Sequence, residues 1–394
     1  MDLTFTDEQR MLQDSLDAFL QRTYGFEQRR AMLARPVQEP SPHWQVMADE
    51  LGILGACMPE QLGGLGGTPV DAMIIMASIG RRLALEPFLE SVVLAGGVLR
   101  RSQSPLAAHL ARQVIAGRTR IAMAYAEPQA RYCWRDVATF AKRDGDGFVL
   151  SGHKAVVVGA PAADVAIVSA RLAGDRRSAE GIGLFAIDLK APSVERRDYR
   201  LIDGRPASEL YLEGVRAPAE SLLVPEDQGF AVLEAVLDEG ATALCAEASG
   251  VLRELLQATI DYTKQRKQFG APLSSFQVLQ HRMVDMFIAV EEAVSMTHMA
   301  TLHLDRPPLE RARAVSAAKA KVGASCRFVG QSAIQLHGGM GITDELAVSH
   351  FFKRSTLIES QFGSTDHHLA RYEQLALPEG GKTHQKVIQQ VGFI

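Results

Sequence analysis

Over three stretches, Phe230 to Lys267, Phe276 to Leu304 and Leu309 to His337, apolar residues recur at helical spacing for far longer than an ordinary helix. Helices of that length find cover mainly in one another, so this part of the chain is expected to be a bundle. In the first, Leu237, Leu244, Ala248, Val251, Leu255 and Leu256 mark one buried face. It closes where Arg266 and Lys267 put positive charge at the helix C-terminus and Gly270 with Pro272 stops it. The third has few bulky side chains, and Ala312, Ala314, Ala317, Ala318, Ala320 and Ala324 allow close helix approach. A shorter helix is expected from Ala347 to Leu357.

The preceding sequence divides in two. Thr6 followed by Asp7, Glu8 and Gln9 reads as a capped helix start, and Met11, Leu12, Leu16, Phe19 and Leu20 continue at helical spacing. Further helices are expected around Trp44 to Leu51, Pro69 to Leu83, Val92 to Arg101 and Pro105 to Ala116. The cluster Gly63-Gly64-Leu65-Gly66-Gly67 has no strand before it, so it reads as a turn rather than a phosphate-cradling loop. From about Ile121 the texture changes to short β-rich runs at Phe148–Leu150, Ala155–Val158, Val165–Val168 and Leu184–Ile187, with a further strand alternating through Glu209, Tyr211 and Glu213. The expected division is a helical domain over 1–120, a β domain over 121–229, a helical bundle over 230–375 and a tail over 376–394. Glu379-Gly380-Gly381-Lys382 opens that tail, where Val387 and Val391 offer packing to a neighbour.

At 394 residues the chain is long enough for two or three domains, and 47% hydrophobic with 22% charged residues is the balance of a soluble globular protein. A net charge of -4 without a basic run argues against a nucleic-acid surface. Cys57, Cys133, Cys245 and Cys326 are scattered among apolar or small residues, which suits reduced thiols rather than a disulfide framework or a metal site. No basic-then-apolar leader opens the sequence and no apolar run approaches bilayer length, so the expected location is the cytoplasm, with no membrane partner.

Two motifs carry a resemblance. Tyr262-Thr263-Lys264-Gln265-Arg266-Lys267-Gln268-Phe269-Gly270 and Gln335-Leu336-His337-Gly338-Gly339-Met340-Gly341 resemble, in the right order, the two C-terminal signatures of the acyl-CoA dehydrogenase family. The similarity runs from about residue 5 to about residue 373. Ala243–Ala248 and Phe362–Leu369 make the chain most similar to the small subunits of pimeloyl-CoA-type dehydrogenases. The resemblance implies an α+β fold: an N-terminal helical domain, a middle β-barrel and a C-terminal four-helix bundle. It also implies FAD between the β domain and the bundle, an acyl-CoA substrate oxidised to a 2-enoyl-CoA, and an electron-transfer flavoprotein as acceptor. The assembly it implies is a homo-oligomer or a heteromer with a paralogous large subunit.

That chemistry needs a carboxylate over Cα. The usual one precedes a Gly-Thr pair; here the pair is Gly363-Ser364 and Phe362 stands before it. The less common position, on the helix before the first motif, falls on Gly240, with Ala241 in place of the accompanying arginine. The surviving candidate is Glu247, seven residues beyond Gly240: at ~100° per residue it projects almost alike, roughly 10 Å further along. Its expected apolar surroundings should raise its pKa toward that of a useful base; the structural alternative is a carboxylate paired with Arg or His from a neighbouring helix. Glu239 is a weaker candidate, and Glu359 is read as structural.

For FAD the resemblance implies Arg266 and Phe269 at the ADP part, Gln335 and Gly339 approaching across a subunit interface, and Ser364 and Asp366 near the adenosine. Ala126 and Val158 stand where the family has hydroxyl contacts to flavin. The absence of a base at Phe362 and of those hydroxyls motivates an alternative, a non-catalytic or half-site subunit completing a partner's flavin site; a third is family-related oxygenation. Adjacent His367 and His368 project about 100° apart with no third ligand spaced nearby, so no metal is expected.

Overall fold

The computed structural model describes residues 4–376. Helix α1, Asp7–Thr23, starts at a reciprocal cap in which the Thr6 hydroxyl accepts from Gln9 N–H and the Gln9 side chain accepts from Thr6 N–H, both at 3.2 Å. Then come α2 Phe26–Leu33, α3 Trp44–Asp49 and α4 Pro69–Arg82. A π-helical segment, Leu89–Ala95, runs directly into α5 Gly96–Leu99, and α6 is Pro105–Ile115. Short π segments inside helices are uncommon and often stand at functional sites.

Eight strands follow: β1 Ile121–Ala124, β2 Phe140–Asp144, β3 Gly147–Val158, β4 Val165–Arg171, β5 Ile182–Asp188, β6 Val194–Arg200, β7 Pro206–Ala217 and β8 Leu222–Val224. They form one mixed sheet in the order β6-β7-β3-β2-β4-β5-β8, with β1 parallel to β4. The expected barrel is therefore corrected to an open sheet, because β6 and β8 end the order without pairing to each other. The separate runs at Phe148 and Ala155 are one strand, β3, bent by register shifts at Leu150/Ser151 and Lys154/Val157.

Helix α7, Gly229–Gln265, is followed by a small hairpin, β9 Lys267–Gln268 and β10 Ala271–Pro272, and then by α8 Gln277–Thr301, α9 Pro308–His337, α10 Ala347–Ser360 and α11 Thr365–Ala376. All six residues of the expected stripe in α7 are buried; from Ala235 to Leu252 all the remaining residues are buried too, so there the helix is enclosed on all sides, whereas from Arg253 onward one face is exposed. Glycine makes this possible where α4 crosses α7: a Cβ on Gly80 would lie 2.1 Å from Glu247 O, and one on Gly250 2.1 Å from Ala77 O. The reading of Glu379–Lys382, Val387 and Val391 lies outside the described residues.

Candidate functional site between the sheet and the bundle

Glu247 is 0% exposed and held from three directions. Arg354 of α10 grips it with two hydrogen bonds, Nε to Oε1 at 2.7 Å and Nη2 to Oε2 at 2.6 Å, while Arg205, just before β7, donates to Oε1 at 2.6 Å. Arg354 also reaches Asp203 at 3.1 Å, and Arg29 of α2 donates to the Asp203 carbonyl at 3.0 Å. The cluster joins the N-terminal helices, the sheet and the bundle. Burial pushes the Glu247 pKa up, but Arg205 and Arg354 together push it down further, so it lies below the ordinary carboxylate value. The expectation of a raised pKa is overturned: a carboxylate with both oxygens engaged by guanidinium groups is a poor proton acceptor.

The two other base positions meet each other. A Cβ on Gly240 would stand 2.5 Å from Leu94 Cδ2 and 3.1 Å from Phe362 Cζ, so the space beside α7 at this point is filled by apolar atoms. Phe362 is fixed in the turn between α10 and α11. Lys319, fully buried on α9, donates to Glu359 O at 3.0 Å and Gly363 O at 2.8 Å, and His368 Nε2 lies 3.1 Å from Phe362 O. The Phe362 ring stacks on Tyr125 with centroids 6.1 Å apart and planes at 17°. Glu239 faces another way, paired with Arg100 at 2.5 Å and with Arg101. Glu359 pairs with Arg327 at 2.8 Å and accepts the Thr365 N–H, a structural role.

Around this stack lies a cavity of about 250 Å³, walled by Tyr125, Trp134, Val156 and Val158 from the sheet side and by Leu94 and Phe362 from the helices. Three of its lining residues, Arg131, Val156 and Phe362, have positive φ without being glycine (47°, 52° and 61°). Backbone strain of this kind collects where the chain shapes a ligand site. Its aromatic and apolar walls suit a planar ring in character, and its volume is below that of most ligand pockets. Ala126 and Val158 contribute no hydroxyl, and the Ala126 carbonyl already accepts from Ala155 N–H at 2.9 Å.

The residues assigned to the ADP part lie elsewhere. Arg266, Gln335 and Gly339 are exposed, and Phe269 is 92% exposed with φ 54°. The structure does bring the two motifs together: the rings of Tyr262 on α7 and His337 on α9 stack at 4.3 Å. No carboxylate among the described residues pairs with Arg266. Ser364 caps α11 by accepting the His367 N–H at 3.3 Å, and Asp366 is exposed in the same first turn. Among the described residues no group of three or more His, Cys, Asp or Glu is arranged to hold a metal, and no helix is long and apolar enough to cross a membrane.

The sequence reading passed over Glu90, Trp134 and the partners of Glu247. For Glu90 a signal existed: it is a lone carboxylate inside the apolar run Phe88 to Leu99. For Arg205 and Arg354, lying 42 and 107 positions from Glu247, there was none.

Comparison with known proteins gives three consecutive matches to family models: acyl-CoA dehydrogenase N-terminal domain over residues 6–101, middle domain over 122–215 and C-terminal domain over 227–374. Caffeyl-CoA reductase-Etf complex subunit CarC of Acetobacterium woodii is 27% identical over 359 residues, 89% of this chain and 93% of its own. The human mitochondrial short-chain specific acyl-CoA dehydrogenase is 29% identical over 326 residues, 80% of this chain and 78% of its own. Among solved structures, a chain of the ChsE4-ChsE5 complex from Mycobacterium tuberculosis superposes with TM-score 0.87 at 25% identity, over 96% of this chain and 100% of that one.

Proposed function

The chain belongs to the acyl-CoA dehydrogenase family, a family of FAD-dependent oxidoreductases, and from that premise we propose that it is one subunit of a heteromeric enzyme forming a 2-enoyl-CoA from an acyl-CoA thioester. Electrons then pass to an electron-transfer flavoprotein. The observation that carries the multi-subunit reading is the exposure of the cofactor residues: Arg266, Phe269, Gln335 and Gly339 face solvent and none of them lines the cleft beside Tyr125 and Phe362; the apolar Phe362 at the usual base position favours a paralogous partner over a second copy. Residues so placed reach a cofactor held mainly by a neighbour. Two similar proteins, one from an Etf complex and one from a complex of two named chains, support both partners.

Bound FAD supplies the two-electron acceptor. The protein's part is to hold a planar ring between the Tyr125 and Val158 walls, with Ser364 and Asp366 toward the adenosine side, and to exclude water from the thioester. Glu247 is assigned to holding the three regions in register rather than to proton transfer. Purifying the chain with a co-expressed paralogue and incubating it with a panel of acyl-CoAs and electron-transfer flavoprotein tests the reading. Enoyl-CoA appearing in step with flavoprotein reduction supports it, and none from any thioester rejects it. The non-catalytic partner reading is favoured by one observation, the apolar closure of Phe362 and Leu94 over Gly240.

A further inference from the structure

The cleft has one carboxylate in its wall, Glu90. It belongs to the π-helical segment Leu89–Ala95, is 4% exposed, and its Oε1 is buried without a hydrogen-bond partner. A buried carboxyl oxygen left unpaired is costly, and native structures keep such atoms mainly where a ligand, water or chemistry calls for them.

Its position is specific. Four residues on, Leu94 lines the same cavity and touches the space where residue 240 would carry a base. A Cβ on Gly159 would stand 3.6 Å from Glu90 Cγ, so the side chain runs beside Gly159, next to the Val158 position that the resemblance places against the flavin. Glu90 thus shares the cavity wall with Val158, Leu94 and Phe362.

The charges around it explain why the site tolerates a carboxylate. Arg29, Arg205 and Arg354 face Asp203 and Glu247, three cations against two anions. Burial raises the Glu90 pKa, and the field of Arg205, a contact from its own backbone N–H and the field of Arg354 only partly offset this, leaving it above the usual carboxylate value. Unlike Glu247, it has no guanidinium bonded to its oxygens among the described residues.

We propose that Glu90 accepts the α-proton of an acyl-CoA thioester bound in this cleft, an inference that rests on the acyl-CoA dehydrogenase reading above. The Cα–H bond breaks heterolytically, the proton moves to Glu90 Oε1, and the electron pair delocalises into the thioester carbonyl as an enolate. Return of a solvent-exchanged proton regenerates the thioester. No oxidant takes part in this half-step.

The test is deuterium incorporation at C2 of butyryl-CoA and octanoyl-CoA in D2O, without an electron acceptor, by the flavin-loaded complex. Glu90→Gln should slow exchange by about 10²- to 10⁴-fold, the range of a lost general base, while melting temperature and flavin content stay unchanged. Glu90→Asp, which keeps the carboxylate at a shorter reach, should retain an intermediate rate and decides the matter if the Gln variant does not fold. Less than a tenfold loss in Gln, a wild-type rate in Asp, or no exchange by the wild type with either thioester overturns the proposal. Enoyl-CoA formation with exchange independent of Glu90 sinks this assignment and leaves the dehydrogenase reading intact. Exchange that depends on Glu90 without enoyl-CoA formation does the reverse.

Discussion

Phe362 and Gly240 occupy one site from two sides: the Phe362 ring edge, at Cζ, lies 3.1 Å from where a Cβ on residue 240 would be. Both family positions for a base therefore converge on a single apolar contact. Gly240→Ala should overpack it against Leu94 and Phe362 and lower stability by about 1–3 kcal/mol, measured by urea denaturation. Unchanged stability would mean that the Leu94 and Phe362 contacts yield freely.

Replacing Glu247 with Gln leaves Arg205 and Arg354 buried with Asp203 as the remaining anion they share. Breaking one side of such a cluster costs about 3–5 kcal/mol, so the variant should melt well below wild type. Whatever remains folded should keep its rate of C2 exchange. A variant with wild-type stability and no exchange would restore Glu247 as the proton acceptor.

Acid should loosen the turn that carries Phe362. Burial, followed by Lys319, His367 and Arg371, pushes the His368 pKa down to about 2, whereas an unfolded histidine titrates near ~6.5. The folded state binds fewer protons in that window. His368 therefore contributes stability that is complete above about pH 6.5 and is lost as pH falls below it, at about 1.4 kcal/mol per pH unit. His298, His337, His350 and His367 are shifted the same way and steepen the fall. Substituting His368 by Gln should flatten the stability profile between pH 6.5 and pH 5; an equally steep variant would contradict the assignment.

Assembly should depend on α8. Val284, Phe287 and Ile288 form an exposed apolar stripe at helical spacing, with Val278 nearby, while the opposite face packs on α7 and α9. Val284→Glu with Phe287→Glu should reduce the mass seen by light scattering without changing the circular dichroism spectrum. A mass equal to wild type would remove α8 from the interface.

Much of the fold was legible in the sequence because long helices repeat their apolar period many times. Phe276 to Leu304 and Leu309 to His337 lie within a few residues of α8 and α9. Strand β6, Val-Glu-Arg-Arg-Asp-Tyr-Arg, was not legible, since it ends the sheet order and is mostly charged where a strand signal needs apolar residues. The candidate site was half legible. Glu247 stands out as a carboxylate on a greasy helix, but a one-dimensional pattern shows the burial that raises a pKa and hides the arginines, from β7's approach and from α10, that lower it. Glu90 was overlooked because the run around it reads as core, and only the cavity distinguishes a carboxylate in a cleft wall from one packed wholly in the core.

The most direct measurement is the flavin absorption spectrum of this chain purified alone and with its co-expressed paralogue. The account predicts little bound flavin on the lone chain, because Arg266, Phe269, Gln335 and Gly339 are exposed and none of them lines its own cleft. It predicts a yellow complex whose flavin bleaches on adding an acyl-CoA. Full flavin occupancy on an isolated monomer, or a colourless complex, would contradict it.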